Sequence, residues 1–530
     1  MDDRPTTRPQ FRQRLYPALV VTLAAALGAC GGSSGGNGNG GGGGGGSGGN
    51  WSPGVFLDAS TFAARCAAPR SGTDPATNQP YPDIQGTTTD ENNFLRSWSN
   101  DTYLWYDEIV DQDPALFDDP LVYFDELQTD ELTASGAPKD KFHFTIPSDE
   151  WFELSQSGAS AGYGAQFALL ASAPPREVLV AYTDPNTPAT AAGLVRGAEL
   201  LEIDGVDVIN GSDTDTLNAG LFPSAAGETH NFRVRDPDGT ERDISMTSAI
   251  ITSDPVQFVQ SVSTTTGNVG YLLFNDHIAT AEGQLADAIT QLAADNVTDL
   301  VVDLRYNGGG FLYIASEFAY MIAGAQATGG RTFELLSFND KYPSTNPVTG
   351  QPLEPIPFYN TDTNGQSLPS LDLDRVFVLT GPGTCSASES IMNGLRGVDI
   401  EVIQVGSTTC GKPYGFYPTD NCGTTYFTIQ FRGENDKGFG DYADGFSPQN
   451  AAVQTTPLPG CQVADDFSRA LGDPLEARFA AARDYRDGLG CPAATTVTVP
   501  RLGKPAASGV ADEELVLPRN PAREMRLLGR

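Results

Sequence analysis

A serine, a lysine and a run of glycines carry the reactive chemistry of this sequence. Ser386 lies in Gly381-Pro-Gly-Thr-Cys-Ser-Ala-Ser-Glu-Ser390, after the apolar run Val376–Thr380 and before the amphipathic run Ile391–Arg396. That order predicts strand, tight turn, helix. A nucleophile at the helix start lies in a field of N–H groups that favours negative charge. The same Ser386-x-x-Glu389 is also a capping box, in which the serine caps the helix and the glutamate reaches back. Lys412 closes Gly406-Ser-Thr-Thr-Cys-Gly-Lys412, and the glycines form Arg305-Tyr-Asn-Gly-Gly-Gly310. A serine hydroxyl is a poor nucleophile until a base takes its proton. These stretches contain no histidine, so Lys412 is the candidate base among them. Its pKa must fall from ~10.4 toward ~7–8, which burial can do. Its neighbours, Cys410, Gly411, Pro413, Tyr414, Gly415 and Phe416, are apolar or neutral. The glycines leave backbone N–H groups free to approach an oxyanion together with the N–H of Ala387. One such donor is worth roughly 3–4 kcal/mol of barrier.

These stretches are far apart in the chain, and topology must bring them together. From about Pro255 the pattern alternates strand and helix. Val269–Phe274, Leu300–Leu304, Val376–Thr380 and Glu401–Val405 read as strands. Ala281–Ala294, with Leu285, Ala288, Ile289 and Leu292 on one face, and Phe311–Ala323 read as helices. Parallel strands joined by crossovers place the loops that follow them at one edge of the sheet, where open sheets hold their sites. Ser386, Lys412 and the glycine turn are therefore expected at a single edge. Residues 337–373 are loop-rich and polar. The tail, 492–530, lacks a strong period and is expected to be weakly ordered.

The totals limit what the protein does. The chain has 530 residues, 59 glycines, 37 prolines and a formal charge of −35. Such acidity excludes a nucleic-acid partner, which needs clustered Lys and Arg. Three histidines, His143, His230 and His277, give no basis for a histidine metal cluster, and no metal or cofactor is expected. Arg4, Arg8, Arg12 and Arg14 precede the apolar stretch Ala18–Leu27, the pattern of an export signal. Its end, Leu27-Gly-Ala-Cys30, resembles the lipobox of bacterial lipoproteins, which implies lipidation of Cys30 and anchoring to a membrane outside the cytoplasm. Gly31–Asn50 is almost wholly Gly, Ser and Asn, a tether with a reach on the order of 25 Å. Six further cysteines, Cys66, Cys385, Cys410, Cys422, Cys461 and Cys491, suit up to three disulfides in an exported protein.

Between tether and catalytic region lie two further parts. In 51–157, Phe94, Trp98, Trp105 and Ile109 recur at helical spacing and Leu116–Leu127 suggests a second helix, together a small helical cap region. His143 reads as structural. In 158–250, an apolar strand after Gly162-Tyr-Gly-Ala165, the strand Val178–Ala181, the turn and short helix of Asp184–Leu194 and a hairpin through Asp204-Gly205 follow one another. This order resembles a PDZ domain, with Gly197-Ala where that family usually has Gly-Asp. The resemblance implies a groove that takes a peptide carboxy-terminus as an added strand, with Gly162, Tyr163, Gly164 and Ala165 receiving the carboxylate.

Asp303-Leu-Arg-Tyr-Asn-Gly-Gly-Gly310, then Ser386-Ala-Ser-Glu389, then Gly411-Lys412, resembles the carboxy-terminal processing (tail-specific) serine peptidases over about residues 90–450. The resemblance implies Ser386 as nucleophile, Lys412 as general base and the N–H groups of Gly309 and Ala387 as oxyanion hole. Phe416 stands where processing members often carry a glutamine that orients the lysine. A disulfide bracing the site is expected, Cys385 with Cys410 or Cys410 with Cys422, and Cys461 with Cys491 as another pair. The expected architecture is α/β multidomain: a lipoprotein signal peptide (1–30), a Gly-rich linker (31–50), a helical N-terminal region (51–157), a PDZ-like β domain (158–250), an α/β peptidase core with a largely parallel sheet (251–491) and a tail (492–530). The expected function is a lipid-anchored serine endopeptidase in the bacterial cell envelope, acting on proteins with free carboxy-terminal tails. The rival expectation is a peptide or apolar-ligand binding lipoprotein that uses the same fold without cutting.

Overall fold

In the computed structural model, residues 51–157 and 159–493 are described. The expected signal peptide with Cys30, the expected linker 31–50 and the tail from 494 lie outside the described residues. Among the described residues no helix is long and apolar enough to cross a membrane.

A six-stranded sheet organises the region after 255. Its strands are β1 (Val256–Thr264), β2 (Gly267–Phe274), β3 (Val297–Asp303), β4 (Arg375–Thr380), β5 (Glu401–Gly406) and β6 (Gly460–Gln462), and they lie side by side in chain order. β1 and β2 form an antiparallel hairpin, and the other four pairings are parallel. Parallel neighbours need a crossover. Helices α1 (Ala281–Ala294), α2 (Leu312–Thr328) and α3 (Ala387–Gly397) supply the first three crossovers, the fourth, 407–459, holds short strands and no helix, and α4 (Ala477–Arg486) follows β6.

The strands are apolar on both faces because both are covered. Leu272, Phe274, Leu300, Val302, Val376, Val378 and Val402 pack against Leu285, Ile289, Phe318, Ile322, Ile391 and Leu395 of α1–α3. Their alternates, Tyr271, Leu273, Val301, Phe377, Leu379, Ile403 and Val405, pack against Phe479 and Ala482 of α4 and against Ala168, Ala181 and Tyr182. The last three residues belong to the preceding module.

The expectation of a largely parallel catalytic region needs correction. Strands 332–337, 356–357, 414–415 and 431–434 form a second, antiparallel sheet beside the first, and 419–421, 424–427 and 144–147 form a third. The stretch 414–434 contains no helix, so its short strands fold back on themselves. Across the described chain antiparallel pairing predominates.

Residues 159–252 hold an all-antiparallel sheet, in the order 241–247, 229–235, 199–203, 177–183, 165–171. The Asp204-Gly205 hairpin is present. Ile203 pairs with Val206, and both turn residues have positive φ, as a two-residue turn requires.

In the N-terminal region the helix Thr88–Thr102 is capped by Thr87 and Asp90 and buries Phe94, Leu95 and Trp98. Trp105 and Ile109 lie beyond its end: Tyr103 turns extended and donates its N–H to the Ser99 carbonyl. Their helical spacing does not reflect a continuing helix. The helix expected over 116–127 shortens to Pro120–Asp125, started by the Asp119 cap and Pro120. Strand Phe144–Pro147 pairs with Thr424–Phe427, and Cys66 is bonded to Cys422, so this region is sewn into the part after residue 255. The other disulfides are Cys385–Cys410 and Cys461–Cys491. Cys422 thus pairs with Cys66 and not with Cys410.

Candidate active site

The turns after β2, β3, β4 and β5 stand in a row along one edge of the parallel sheet. They carry His277, Asn307–Gly310, Ser386 and Lys412 respectively. Side chains and backbone lock the middle two together. Thr384 Oγ1 accepts from Gly381 N–H and donates to the Leu304 carbonyl. The Asn307 carbonyl accepts from Cys385 N–H at 3.1 Å and from Ser388 Oγ at 3.0 Å. The approach is so close that a Cβ at residue 309 would lie 2.8 Å from Ser386 Cβ and 2.9 Å from Ala387 N, so only glycine fits there.

Ser386 begins α3 with φ 58° and ψ −116°, a conformation that side-chain-bearing residues rarely adopt. Holding such a residue costs of order 1–3 kcal/mol and needs surroundings that enforce it. Glu389 is part of that enforcement. Its Oε2 accepts from Ser386 N–H at 3.1 Å and from Lys412 N–H at 2.8 Å; its Oε1 accepts from Gly411 N–H at 2.9 Å and from Thr409 Oγ1. One buried carboxylate therefore joins the serine turn to the lysine turn. Burial pushes its pKa above the usual carboxylate range, opposed by these hydrogen bonds. The Cys385–Cys410 disulfide crosslinks the same two turns.

Lys412 is fully buried. Gly411 before it has φ 81° and approaches the Ala443 carbonyl so closely that a Cβ would lie 2.2 Å from it. Lys412 Nζ lies 4.3 Å from the ring centre of Phe416 and 4.8 Å from that of Phe142. Both rings border the lysine head. Lys141 beside Phe142 donates to the Cys410 carbonyl at 2.8 Å, and burial lowers its pKa.

Ser386, Ala387, Glu389 and Lys412 all have zero exposure. Ser386 Oγ, His277 Nε2 and both polar atoms of the Asn275 side chain are buried without a hydrogen bond among the described residues. Buried polar atoms are normally paired, so this edge of the sheet is built to meet something else. Among the described residues, Cys385, Glu389 and Cys410 alone have ligand atoms close enough for a metal ion, and the disulfide already consumes their sulfurs.

Of the residues singled out in the sequence, Ser386, Ala387, Gly309 and Lys412 meet at this edge. The Gly309 N–H, however, donates to Asn307 Oδ1 at 2.9 Å. Gly162, Tyr163, Gly164 and Ala165 belong to the other module. Gly162 ends a strand paired with 249–252, Tyr163 is buried against Phe232, and Gly164 has φ 71° against Thr187. The Tyr163 carbonyl accepts from Ala189 N–H, which ties this loop to the helix Pro188–Ala191. Glu389 was visible in the sequence only as half of a capping box. Phe142 and His277 carried no sequence signal, because their roles arise from contacts across the fold.

Residues 268–415, which span this row of turns, match the family model described as peptidase family S41. The chain carries a peptidase family S41 domain. Two curated relatives agree, both named carboxyl-terminal-processing protease. One, from Picosynechococcus sp., is 28% identical over 268 residues, covering 49% of this chain and 56% of the relative. The other, from Synechocystis sp., is 27% identical over 172 residues, covering 32% of this chain and 38% of the relative. The chain thus spans about half the length of the first relative and less of the second. A solved structure described as an S41 protease from Bacteroides fragilis shares the fold at 22% identity and a TM-score of 0.56, over 77% of this chain and 98% of that one. The S41 match contains the glycine turn, Ser386, Glu389 and Lys412.

Proposed function

We propose that this protein is a serine endopeptidase of the Ser–Lys type that cleaves polypeptides near unstructured carboxy-terminal tails. The observation that carries the proposal is the Glu389 carboxylate, which holds the backbone of the strained Ser386 and of the buried Lys412 at once. In acylation, Ser386 Oγ attacks the scissile carbonyl carbon while its proton passes to the neutral Lys412 amine. The Ala387 N–H at the start of α3 and an N–H of the glycine turn receive the oxyanion. The C–N bond then breaks, and the leaving amine takes the proton from Lys412. Water hydrolyses the acyl-enzyme by the same steps in reverse roles.

Residues 158–250 are proposed as a PDZ-like tail-binding module. Its strand Ala165–Ala171 is last in its sheet, an edge to which an extended peptide can add. Export and lipid attachment at Cys30 are proposed from the sequence signal, and would hold the enzyme at a membrane surface of the bacterial envelope.

Full burial of Ser386 and Lys412 means that substrate entry requires their cover, Phe142 included, to move. The same burial favours a second reading, a protein that binds tails in this fold without cutting them. A fluorophosphonate probe separates the two. Under the peptidase proposal the wild-type protein labels at Ser386, Ser386→Ala does not, and Lys412→Ala labels at least a hundredfold more slowly. A wild-type protein that binds unstructured peptides and does not label establishes the second reading.

A further inference from the structure

The turn after β2 is wired to the glycine turn by contacts that peptide-bond chemistry alone does not demand. Asn307 is buried, and its amide orientation is fixed because Nδ2 donates to the Phe274 carbonyl at 2.9 Å. Its Oδ1 then faces two groups, Gly309 N–H at 2.9 Å and His277 Nδ1 at 3.0 Å. An amide oxygen only accepts, so His277 carries its proton on Nδ1. The histidine backbone is committed to the same turn. His277 N–H donates to the Gly309 carbonyl at 3.1 Å, and the His277 carbonyl accepts from Phe311 N–H at 2.8 Å.

These bonds decide where the turn's donors point. Gly309 N–H is spent on Asn307. The Gly309 carbonyl points at the β2 side, toward His277. In a planar trans peptide the next N–H points the opposite way, so Gly310 N–H points away from β2. The sheet order β2, β3, β4 puts the Ser386 turn on that opposite side. Gly310 N–H makes no hydrogen bond among the described residues.

We propose that His277 and Asn307 are positioning residues that fix the glycine turn so that Gly310 N–H, alongside Ala387 N–H, faces the oxyanion formed at Ser386. The assignment rests on the peptidase reading and adds to it the pair that sets its oxyanion hole. The neutral histidine suits this role. Full burial pushes its pKa down to about 3, so it keeps one donor on Nδ1 across the working pH range and does not titrate in the site. No other titratable side chain hydrogen-bonds its ring among the described residues; Asn307 is its partner and the Phe274 ring lies 4.4 Å away.

The test uses the full chain with His277→Leu, His277→Asn and Asn307→Ala. Asparagine places an N–H near the position of Nδ1, so it can restore the bond to Asn307. Steady-state kinetics on an unstructured peptide are combined with the affinities of a matched peptide aldehyde and peptide alcohol. The aldehyde forms a tetrahedral oxyanion on Ser386 and the alcohol does not. We expect His277→Leu and Asn307→Ala to lose up to about 10²–10³-fold in kcat, the worth of one oxyanion donor, with a parallel loss for the aldehyde. KM and alcohol affinity stay unchanged, and His277→Asn recovers most of the loss. Equal losses for aldehyde and alcohol, or wild-type kcat in His277→Leu, overturn the assignment.

The geometry has its own readout. The chain has three histidines, so ¹⁵N-histidine NMR can follow the Nδ1–H of His277. It should stay neutral to about pH 3 and change on Asn307→Ala. A wild-type protein that shows this histidine signature but neither cleaves nor labels overturns the peptidase reading. A His277 that titrates near pH 6–7 overturns the positioning pair.

Discussion

Replacing Glu389 tests the physical link between nucleophile and base most directly. Its carboxylate accepts three backbone N–H groups, from Ser386, Gly411 and Lys412, and the Thr409 hydroxyl. In Glu389→Gln one oxygen becomes NH₂. The lower-cost orientation turns NH₂ toward Thr409, whose oxygen already accepts from Phe446 N–H and can accept once more, and leaves Gly411 N–H and the Thr409 O–H without their carboxylate acceptor. Each buried unsatisfied donor costs about 1–3 kcal/mol, and the Ser386 and Lys412 N–H groups keep their acceptor. Glu389→Ala strands all three backbone donors, about 3–9 kcal/mol on the same scale, reduced where water enters the space left. The turns then lose their common anchor, and a misplacement of about 1 Å is enough for a hundredfold loss in rate. Urea unfolding and fluorophosphonate labelling of the same samples check both parts. The expected order is wild type, Glu389→Gln, Glu389→Ala in both stability and labelling rate. Labelling of Glu389→Ala at the wild-type rate, in protein that is still folded, would refute the claim that this carboxylate sets the geometry of the pair.

Two other expectations follow from particular contacts. The Cys385–Cys410 and Cys461–Cys491 disulfides close loops of similar length, 25 and 30 residues. Loop entropy makes each worth about 3.5 kcal/mol, so serine substitution of either pair should lower stability alike. Only the Cys385/Cys410 double variant should also slow Ser386 labelling, and an equal slowing in both would show that the bond beside the site has no special role. Glu334 is buried, and desolvation raises its pKa to about 7 from 4.5. Its folded pKa is raised, so the folded state holds the proton more tightly, and stability is lost as pH rises from about 4.5 through about 7. The shift corresponds to about 3 kcal/mol. Glu334→Gln should remove this contribution and unfold at a higher urea concentration than wild type at pH 8, but not at pH 4; an identical pH dependence in the variant would contradict it.

Local apolar patterning sets the elements that present the site. The short apolar runs Leu300–Leu304 and Val376–Thr380 between helical patterns read as strands covered on both faces. Crossover helices make those strands parallel, and parallel strands place their following turns at one edge. That logic places Ser386, Lys412 and the glycine turn together from the amino-acid pattern. Tertiary structure alone decided what the local pattern could not encode. The helical spacing of Phe94, Trp98, Trp105 and Ile109 continued past a helix that ends at Thr102, because burial and not period set the positions of the last two. The antiparallel strands of 414–434 are too short to announce themselves, and their pairing depends on partners as distant as Phe144–Pro147. One of the two rings beside Lys412, Phe142, comes from a segment remote in the chain, and Asn307, which accepts the Gly309 N–H, is held in turn by His277 and by the Phe274 carbonyl of the neighbouring strand. Local residue types specify strands, turns and a serine at a strand–helix turn. Which N–H of the glycine turn is left free depends on long-range contacts, the His277 bonds to Asn307 and to the Gly309 carbonyl.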